Sequence, residues 1–303
     1  MSLPNLHGIV PPLPTPLNPD ESIDVESLRG LVEHHLKSGV HGLWILGTTG
    51  KFDLIPDGHQ RVVAETVAEV VNGRVPLVLN VSDGGTLRTL TRAGMFDDLP
   101  YDYYAALPPW YQPMAADEVK DYFRALADGL EKPLVIYNAP WVCNQLSFPH
   151  LRELAEHPRI VGTKDVSPVL ARNLDWTVSE RRNLGFSYLQ GCDLIGLAAD
   201  MGCDGFVSAT SNAFPELAVA LWDAARAGDS ARAFRLQSHF SRLGQALGFG
   251  YPLACLEVAC RHRRLLNRML PAPYRSLEES AAKRVSAVLD SVGVLPEPDS
   301  ALV

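Results

Sequence analysis

Short apolar runs and amphipathic stretches alternate along most of this chain. The runs have the length and composition of buried strands, and the stretches between them carry apolar residues at helical spacing. The predicted strands cover residues 7–13, 42–47, 75–82, 102–108, 133–140, 159–165, 186–191 and 205–209. The predicted helices cover residues 24–38, 56–72, 86–98, 116–129, 147–156, 168–180, 193–201 and 215–227. Asp24 and Ser147 are predicted N-caps, and Gly39, Gly73 and Gly129 are predicted helix stops.

This alternation predicts parallel strands joined by crossover helices. Eight units of roughly 30 residues favour an α/β fold, a (β/α)8 TIM barrel over residues 1–228. A doubly wound open sheet is the alternative, and it is less favoured because no GxGxxG motif follows the first strand. Residues 229–303 are predicted to form a C-terminal helical extension, with helices over 229–247, 252–268 and 276–292. These helices could cover the barrel or build an oligomer interface.

Composition narrows the partners and the compartment. The chain has 303 residues and a formal net charge of -8, which argues against nucleic acid and anionic membranes as partners. Its five cysteines are odd in number and form no CxxC pair. The N-terminus has no signal-peptide pattern, and no apolar stretch has the length of a membrane helix. We therefore expect a reduced, cytoplasmic protein.

Candidate reactive groups follow the predicted strands, where a barrel of this kind carries its chemistry. The pattern contains one lysine, several tyrosines and small hydroxyl residues. The candidates are Gly47, Thr48 and Thr49 after the second strand, Tyr111 after the fourth, Tyr137 in the fifth, Lys164 in the sixth, Asp193 after the seventh, and Ser208 and Ser211 after the eighth.

Other kinds of site are disfavoured by what these strand ends lack. No cluster of His, Asp and Glu follows the strands, as a metal-dependent barrel enzyme would need. The chain has no GxSxG elbow and no P-loop, and the GGT sequence at 84–86 is more typical of a tight turn. The sequence therefore predicts neither a metal nor an organic cofactor.

Lys164 suggests covalent chemistry. A lysine shielded from water can act as a nucleophilic amine, and with a ketone it forms a Schiff base. The iminium then withdraws electrons, so that an adjacent C–C bond can break or form. Tyr137 on the neighbouring strand is placed to move protons. Hydroxyls and free N–H groups in the GTTG turn suit a carboxylate.

Each candidate is also compatible with an ordinary structural role. For Lys164 alone, a salt bridge with Asp165 or another acid is the more frequent role. The corresponding roles are a core tyrosine for Tyr137, turn-forming side chains for Thr48 and Thr49, an aromatic surface patch for Trp110 and Tyr111, and a helix N-cap for Asp193. The joint occurrence of these residues at consecutive strand ends favours function.

Several segments carry a family resemblance. They are GIVPPLPTPLNPD, GLWILGTTG, PPWYQP, YNAP, HPRIVGTKD, LQGCD and DGFVSATSN, in this order over about residues 7–215. In these segments the chain resembles the dihydrodipicolinate synthase / N-acetylneuraminate lyase family of class I, Schiff-base aldolases.

The resemblance implies a role for each matching residue. Lys164 would form the Schiff base with pyruvate or a related 2-oxo acid, and Tyr137 would transfer protons. The carboxylate of the oxo acid would bind at Thr48 and Thr49, with Gly47 and Ser208 as further substrate-binding residues. Tyr111 would complete a proton relay in a neighbouring subunit. The partners would be a small-molecule 2-oxo acid and an aldehyde, and the protein a homo-oligomer, a dimer or tetramer.

Two departures bear on which member of the family this is. Lys51 replaces the acid of the usual GTTGE, and a surface position would explain it simply. Val142, after Trp141, stands where the synthase branch has an arginine that binds the aldehyde's carboxylate. We therefore expect a lyase with a different aldehyde, whose tail is a sugar acid or an aromatic or apolar group. The alternatives are a true 4-hydroxy-tetrahydrodipicolinate synthase, a 2-keto-3-deoxy sugar acid aldolase or dehydratase, and a non-catalytic oxo-acid binder.

Overall fold

A single sheet of eight parallel strands forms the centre of the molecule. The computed structural model describes residues 6–167 and 176–292. The strand order in the sheet is β1-β8-β7-β6-β5-β4-β3-β2. The strands are β1 Gly8–Ile9, β2 Leu43–Ile45, β3 Leu77–Asn80, β4 Tyr103–Ala106, β5 Leu134–Asn138, β6 Ile160–Asp165, β7 Ser187–Gln190 and β8 Gly205–Phe206.

The two ends of this sheet meet, so the sheet is closed. Pro12, just beyond β1, forms a parallel bridge with Trp44 of β2. The N–H of His41 donates to the carbonyl of Ile9 at 2.8 Å, and the N–H of Leu13 donates to that of Trp44 at 2.8 Å. An open doubly wound sheet would keep two free edges. The predicted (β/α)8 barrel is therefore confirmed.

Helices follow the strands as predicted, with shorter bounds in several cases. They are α1 Val25–Lys37, α2 Asp57–Val71, α3 Thr86–Gly94, α4 Ala116–Gly129, α5 Phe148–Leu154, α6 Val178–Asn183, α7 Ile195–Asp200, α8 Pro215–Arg226, α9 Ser230–Ala246, α10 Pro252–His262 and α11 Glu279–Val292. Most of the predicted helix over 168–180 lies outside the described residues. The described helix α6 begins later, after the N-cap Thr177.

The predicted caps differ in outcome. Asp24 caps α1, because its carboxylate accepts the N–H of Ser27 at 3.0 Å. Ser147 occupies the N-cap position of α5, but its hydroxyl contacts His150 Nδ1 at 2.9 Å and makes no capping bond. Gly39 follows α1 with a left-handed φ of +80°, as a helix stop requires. Gly129 is instead the last residue inside α4.

Strand register decides which side chains enter the barrel. Tyr137 of β5 pairs with Lys164 of β6, and Asn138 pairs with Asp165. Successive side chains of a strand point to opposite faces. Tyr137 and Lys164 therefore share the interior face, whereas Asn138 and Asp165 face the helical layer.

The C-terminal helices contact the barrel through polar bonds as well as apolar packing. Gln237 of α9 donates to the carbonyl of Asp193 at 2.9 Å. Arg263, which follows α10, pairs with Glu216 of α8 at 2.6 Å. In the described part of the chain, no helix combines the length and hydropathy needed to cross a membrane.

Candidate active site

Lys164 lies buried at the carboxyl end of β6. The residue is only 5 % exposed, and its amine pairs with no carboxylate of the described residues. Asp165 points to the opposite face, where it accepts the hydroxyl of Tyr188 at 2.5 Å and the N–H of Ser167 at 2.9 Å. The interpretation of Lys164 as a salt-bridge partner of Asp165 is therefore wrong, because adjacent strand residues face opposite sides.

Two aromatic rings flank the Lys164 amine. Its Nζ lies 4.2 Å from the ring centroid of Tyr137 and 5.5 Å from that of Trp44. The two rings meet edge to face at 5.7 Å. Trp44 was not among the sequence candidates, because a tryptophan in an apolar strand is ordinarily core. Strand alternation gives the only sequence signal, since it places Trp44 on a fixed face of β2 just before the GTTG turn.

Tyr137 and Thr48 join across the mouth of the barrel. The tyrosine hydroxyl and Thr48 Oγ1 are 3.1 Å apart, and either atom can donate. Strands β5 and β2 are not neighbours in the sheet, so this bond crosses the barrel interior. It gives Tyr137 a hydroxyl partner through which a proton can move. The interpretation of Tyr137 as a core tyrosine with a bonded hydroxyl describes its burial but not its position beside Lys164.

The GTTG turn presents unused backbone donors. The N–H groups of Thr48 and Thr49 make no hydrogen bond with any described residue. Leu46 and Lys51, on either side, both have a left-handed φ of 54°. Such conformations are strained for residues other than glycine and cluster at functional sites. The turn therefore resembles an anion-binding concavity more than a simple reversal of the chain.

Lys51 is buried, so the expectation of a surface position is wrong. The residue is 3 % exposed, and its Nζ lies 4.2 Å from the ring centroid of Tyr274 and 3.8 Å from a carboxylate oxygen of Asp53. Tyr274 stacks on Tyr251 at 4.8 Å. This lysine therefore connects the β2 turn to the C-terminal helical region, and its charge has a partner.

Tyr111 is an exposed residue of the loop between β4 and α4. It is 92 % exposed and has a left-handed φ of 77°. Asn144 holds the loop, because its amide donates to the carbonyls of Pro109 at 2.6 Å and Gln112 at 2.9 Å. Asn144 also accepts the N–H of Met114 at 3.0 Å. A fully exposed tyrosine on a loop held this firmly is presented outward. Asn144 was missed by the sequence reasoning.

Asp193 accepts two hydroxyl hydrogen bonds, so the N-cap interpretation of this residue is wrong. Its carboxylate accepts the hydroxyl of Thr210 at 2.7 Å and also that of Ser208. Burial raises the pKa of Asp193 above that of an ordinary aspartate, although these hydroxyls oppose the rise. Ser211 donates to the carbonyl of Ser208 at 2.5 Å. Ser208 is thus engaged with Asp193, and its role in substrate binding stays a prediction.

Two glycines let the backbone come close to the site. A Cβ on Gly191 would lie 1.9 Å from Val166 Cγ1 and 3.4 Å from Lys164 Cε. A Cβ on Gly47 would lie 3.2 Å from Trp44 Nε1. A side chain at Gly191 would therefore force the Val166 side chain, two residues after Lys164, to move. Sequence reasoning missed Gly191, although it lies in the LQGCD segment.

Two apolar residues follow closely after β5. Trp141 and Val142 are 60 % and 44 % exposed. Position 142 therefore offers no guanidinium to a ligand. Within the residues that the structure describes, no three His, Cys, Asp or Glu side chains come together as metal ligands do.

Comparison with known proteins identifies the family. The chain matches the dihydrodipicolinate synthetase family over residues 5–292. It is 33% identical over 291 residues to the 4-hydroxy-tetrahydrodipicolinate synthase of Methanoculleus marisnigri, covering 94% of this chain and 99% of that protein. This chain belongs to the dihydrodipicolinate synthetase family. The predicted family is therefore confirmed.

Other members of the family are similar over their full length. A probable 2-dehydro-3-deoxy-D-pentonate aldolase of Escherichia coli is 28% identical over 298 residues, covering 95% of this chain and 98% of that protein. The solved dihydrodipicolinate synthase of Bacteroides thetaiotaomicron superposes with a TM-score of 0.89 at 28% identity, covering 96% of this chain and all of that one. The proteins similar to this chain are thus named both as synthases and as a probable aldolase.

Proposed function

We propose that this protein is a class I aldolase or lyase that forms a Schiff base between Lys164 and a 2-oxo acid, most simply pyruvate. The aldolase or lyase class agrees with its relatives. One observation carries the mechanism. Lys164 is a buried amine at a strand end, with no carboxylate partner among the described residues and with the hydroxyl-bonded Tyr137 beside it. An amine that is buried and left without a counterion is available for chemistry.

The covalent step follows from the amine. The Nζ lone pair attacks the carbonyl carbon of the oxo acid, and a proton passes from the nitrogen to the carbonyl oxygen to give a carbinolamine. A second proton lets that oxygen leave as water, and an iminium that keeps one N–H proton remains. Loss of a C3 proton sends an electron pair into the iminium and gives an enamine. Cleavage of the C3–C4 bond of a longer substrate gives the same enamine, because the C4 hydroxyl loses its proton and C4 leaves as an aldehyde. Tyr137, bonded to Thr48, is the group that exchanges these protons.

The carboxylate of the oxo acid fits the GTTG turn. The free N–H groups of Thr48 and Thr49 would donate to it, and the Thr48 hydroxyl already bonds Tyr137. This arrangement would place the carbonyl carbon of the substrate between the turn and Lys164. Holding the two reactants in this way supplies much of the rate enhancement.

Tyr111 is proposed to serve a second copy of the chain. It is exposed in its own chain and lies on a loop held by Asn144. A hydroxyl presented outward in this way can complete the relay of Tyr137 and Thr48 only across an interface. We therefore expect a homo-oligomer in which each site borrows one tyrosine.

The residues after β5 limit the choice of aldehyde substrate. Val142 cannot make the bidentate contact of an arginine to a carboxylate. Trp141 and Val142 favour an aromatic or apolar tail or a sugar-derived chain over aspartate semialdehyde. The similarity to a pentonate aldolase is in keeping with a sugar acid.

The test is to trap the adduct. The protein is incubated with pyruvate, reduced with borohydride and mapped by mass spectrometry, with Lys164→Arg as the matched control. A reduced pyruvyl group on Lys164 is expected. Labelling elsewhere, or none with pyruvate and with longer sugar-derived oxo acids, would overturn the proposal. An aldehyde panel then identifies the product, and ordinary turnover of aspartate semialdehyde would show a true synthase. An adduct without turnover of any aldehyde would show a binder.

A further inference from the structure

Trp44 is a buried residue beside the reactive amine that the mechanism above does not use. It is 0 % exposed, and its ring centroid lies 5.5 Å from Lys164 Nζ. Its indole N–H is buried and has no hydrogen-bond partner among the described residues. The nitrogen lies beneath the substrate turn, since a Cβ on Gly47 would approach it to 3.2 Å.

Because its N–H is unpaired, packing alone does not explain why position 44 carries an indole. Burying a donor without a partner costs free energy, and a phenylalanine would fill much of the space without that cost. An indole differs from phenylalanine in a second respect, because its face attracts a cation most strongly of all side chains. The group beside it is the nitrogen of Lys164, which becomes a cation when the iminium forms.

We propose that Trp44 is a positioning residue that stabilises the iminium cation formed on Lys164. The inference rests on the proposed function. When the Lys164 nitrogen bonds to the carbonyl carbon and water leaves, the resulting iminium nitrogen carries a positive charge. No described carboxylate pairs with this nitrogen. The faces of Trp44 and Tyr137, 5.5 Å and 4.2 Å away, supply the negative potential instead.

This arrangement has a chemical advantage over an ion pair. A carboxylate beside the amine would hold it as an ammonium ion, which cannot attack a carbonyl, and would accept protons from the relay of Tyr137 and Thr48. An aromatic face attracts the positive nitrogen and has no basic lone pair that would compete for the protons of the relay. The site can therefore stabilise the charged adduct without placing a competing base beside it.

The experiment lowers the electron density of the indole face and keeps the shape of the ring. Tryptophans carrying increasing numbers of ring fluorines are placed at position 44 alone, because fluorine withdraws electron density from the face. The same residues at position 222 serve as the control, since Trp222 is also buried but lies on α8 beside Arg226. Trp44→Phe and Trp44→Leu are measured in parallel. The readout is the fraction of Lys164 trapped by borohydride at subsaturating pyruvate, with thermal unfolding as the check on folding.

A stepwise fall in the adduct equilibrium with each added fluorine is expected at position 44 and not at position 222. Removing the ring in Trp44→Leu should weaken the adduct about 2- to 30-fold, with Trp44→Phe between it and the parent protein. If the adduct is insensitive to fluorine at position 44 while Trp44→Leu still loses it, the residue acts by shape alone and the inference is wrong. If no 2-oxo acid labels the unaltered protein, the proposed function fails, and this inference fails with it.

Discussion

Two buried lysines in this barrel have similar aromatic contacts but differ in their counterions. Lys51 follows the β2 turn and Lys164 ends β6, and each amine nitrogen lies 4.2 Å from the ring centroid of a tyrosine. Lys51 also has Asp53 at 3.8 Å, whereas no described carboxylate pairs with Lys164. Burial therefore does not distinguish a reactive lysine from a structural one. The two lysines differ instead in their counterion, since of the two only Lys51 has a carboxylate beside it among the described residues.

Replacing each lysine with methionine tests the difference between Lys164 and Lys51 most directly, because methionine keeps the length of the side chain. Lys164→Met should abolish the borohydride-trapped adduct and lower turnover by on the order of 10⁴-fold or more, because the nucleophile is lost. Lys51→Met should keep the adduct on Lys164. The measurement is adduct mapping with steady-state kinetics on both variants. Equal activity of the two variants would show that the counterion is no guide.

Tyr137→Phe separates the role of the tyrosine hydroxyl from that of the ring beside Lys164. The ring next to Lys164 remains and only the hydroxyl bonded to Thr48 is lost. Adduct formation should slow by about 10²- to 10⁴-fold, the range for one general acid–base group, while thermal stability changes little. Single-turnover trapping measures the rate. Thr48→Val is the matched variant from the other side of the bond, and it should cause a smaller loss in the same step.

His35 is a third buried basic side chain, and it pairs with no carboxylate of the described residues. Burial lowers its pKa from 6.5 to about 4, and Nδ1 contacts the carbonyl of Leu31 at 2.8 Å. Below about pH 6.5, His35 binds a proton in the unfolded chain. In the folded protein, His35 binds that proton only below about pH 4. Stability should therefore fall by about 3 kcal/mol as the pH drops through this window.

Urea unfolding at several pH values measures this dependence. His35→Gln should flatten the part of the curve that belongs to His35, even if its absolute stability is lower. An unchanged slope in the variant would mean that other groups carry the acid sensitivity.

The smallest effect is expected from the structural lysine. Lys51→Met removes the contacts with Asp53 and Tyr274, and Asp53 is partly exposed and can be hydrated instead. The free energy of unfolding should fall by about 1 kcal/mol. Asp53→Asn should cost less, because the aromatic contact persists. A loss from Lys51→Met far above that value would indicate that the contact of Lys51 with Tyr274 anchors the C-terminal helical region.

Some predictions stay predictions. The division at residue 228, the cytoplasmic location, the dimer or tetramer and the roles of the site residues are tested by none of the observations above.

The order of strands and helices, the barrel and the pairing of Tyr137 with Lys164 could all be predicted from the sequence. Local periodicity encodes these features, because alternation along a strand fixes the face of each side chain. Which charges have partners depended on the tertiary structure. It bonded Asp165 to Tyr188, buried Lys51 against Tyr274, directed Asp193 to two hydroxyls and set Trp44 beside the amine. These contacts join residues distant along the chain, and they depend on packing that no local pattern encodes. Asp165 follows Lys164 directly, so strand alternation already places it on the opposite face, and only its hydroxyl partner required the folded sheet.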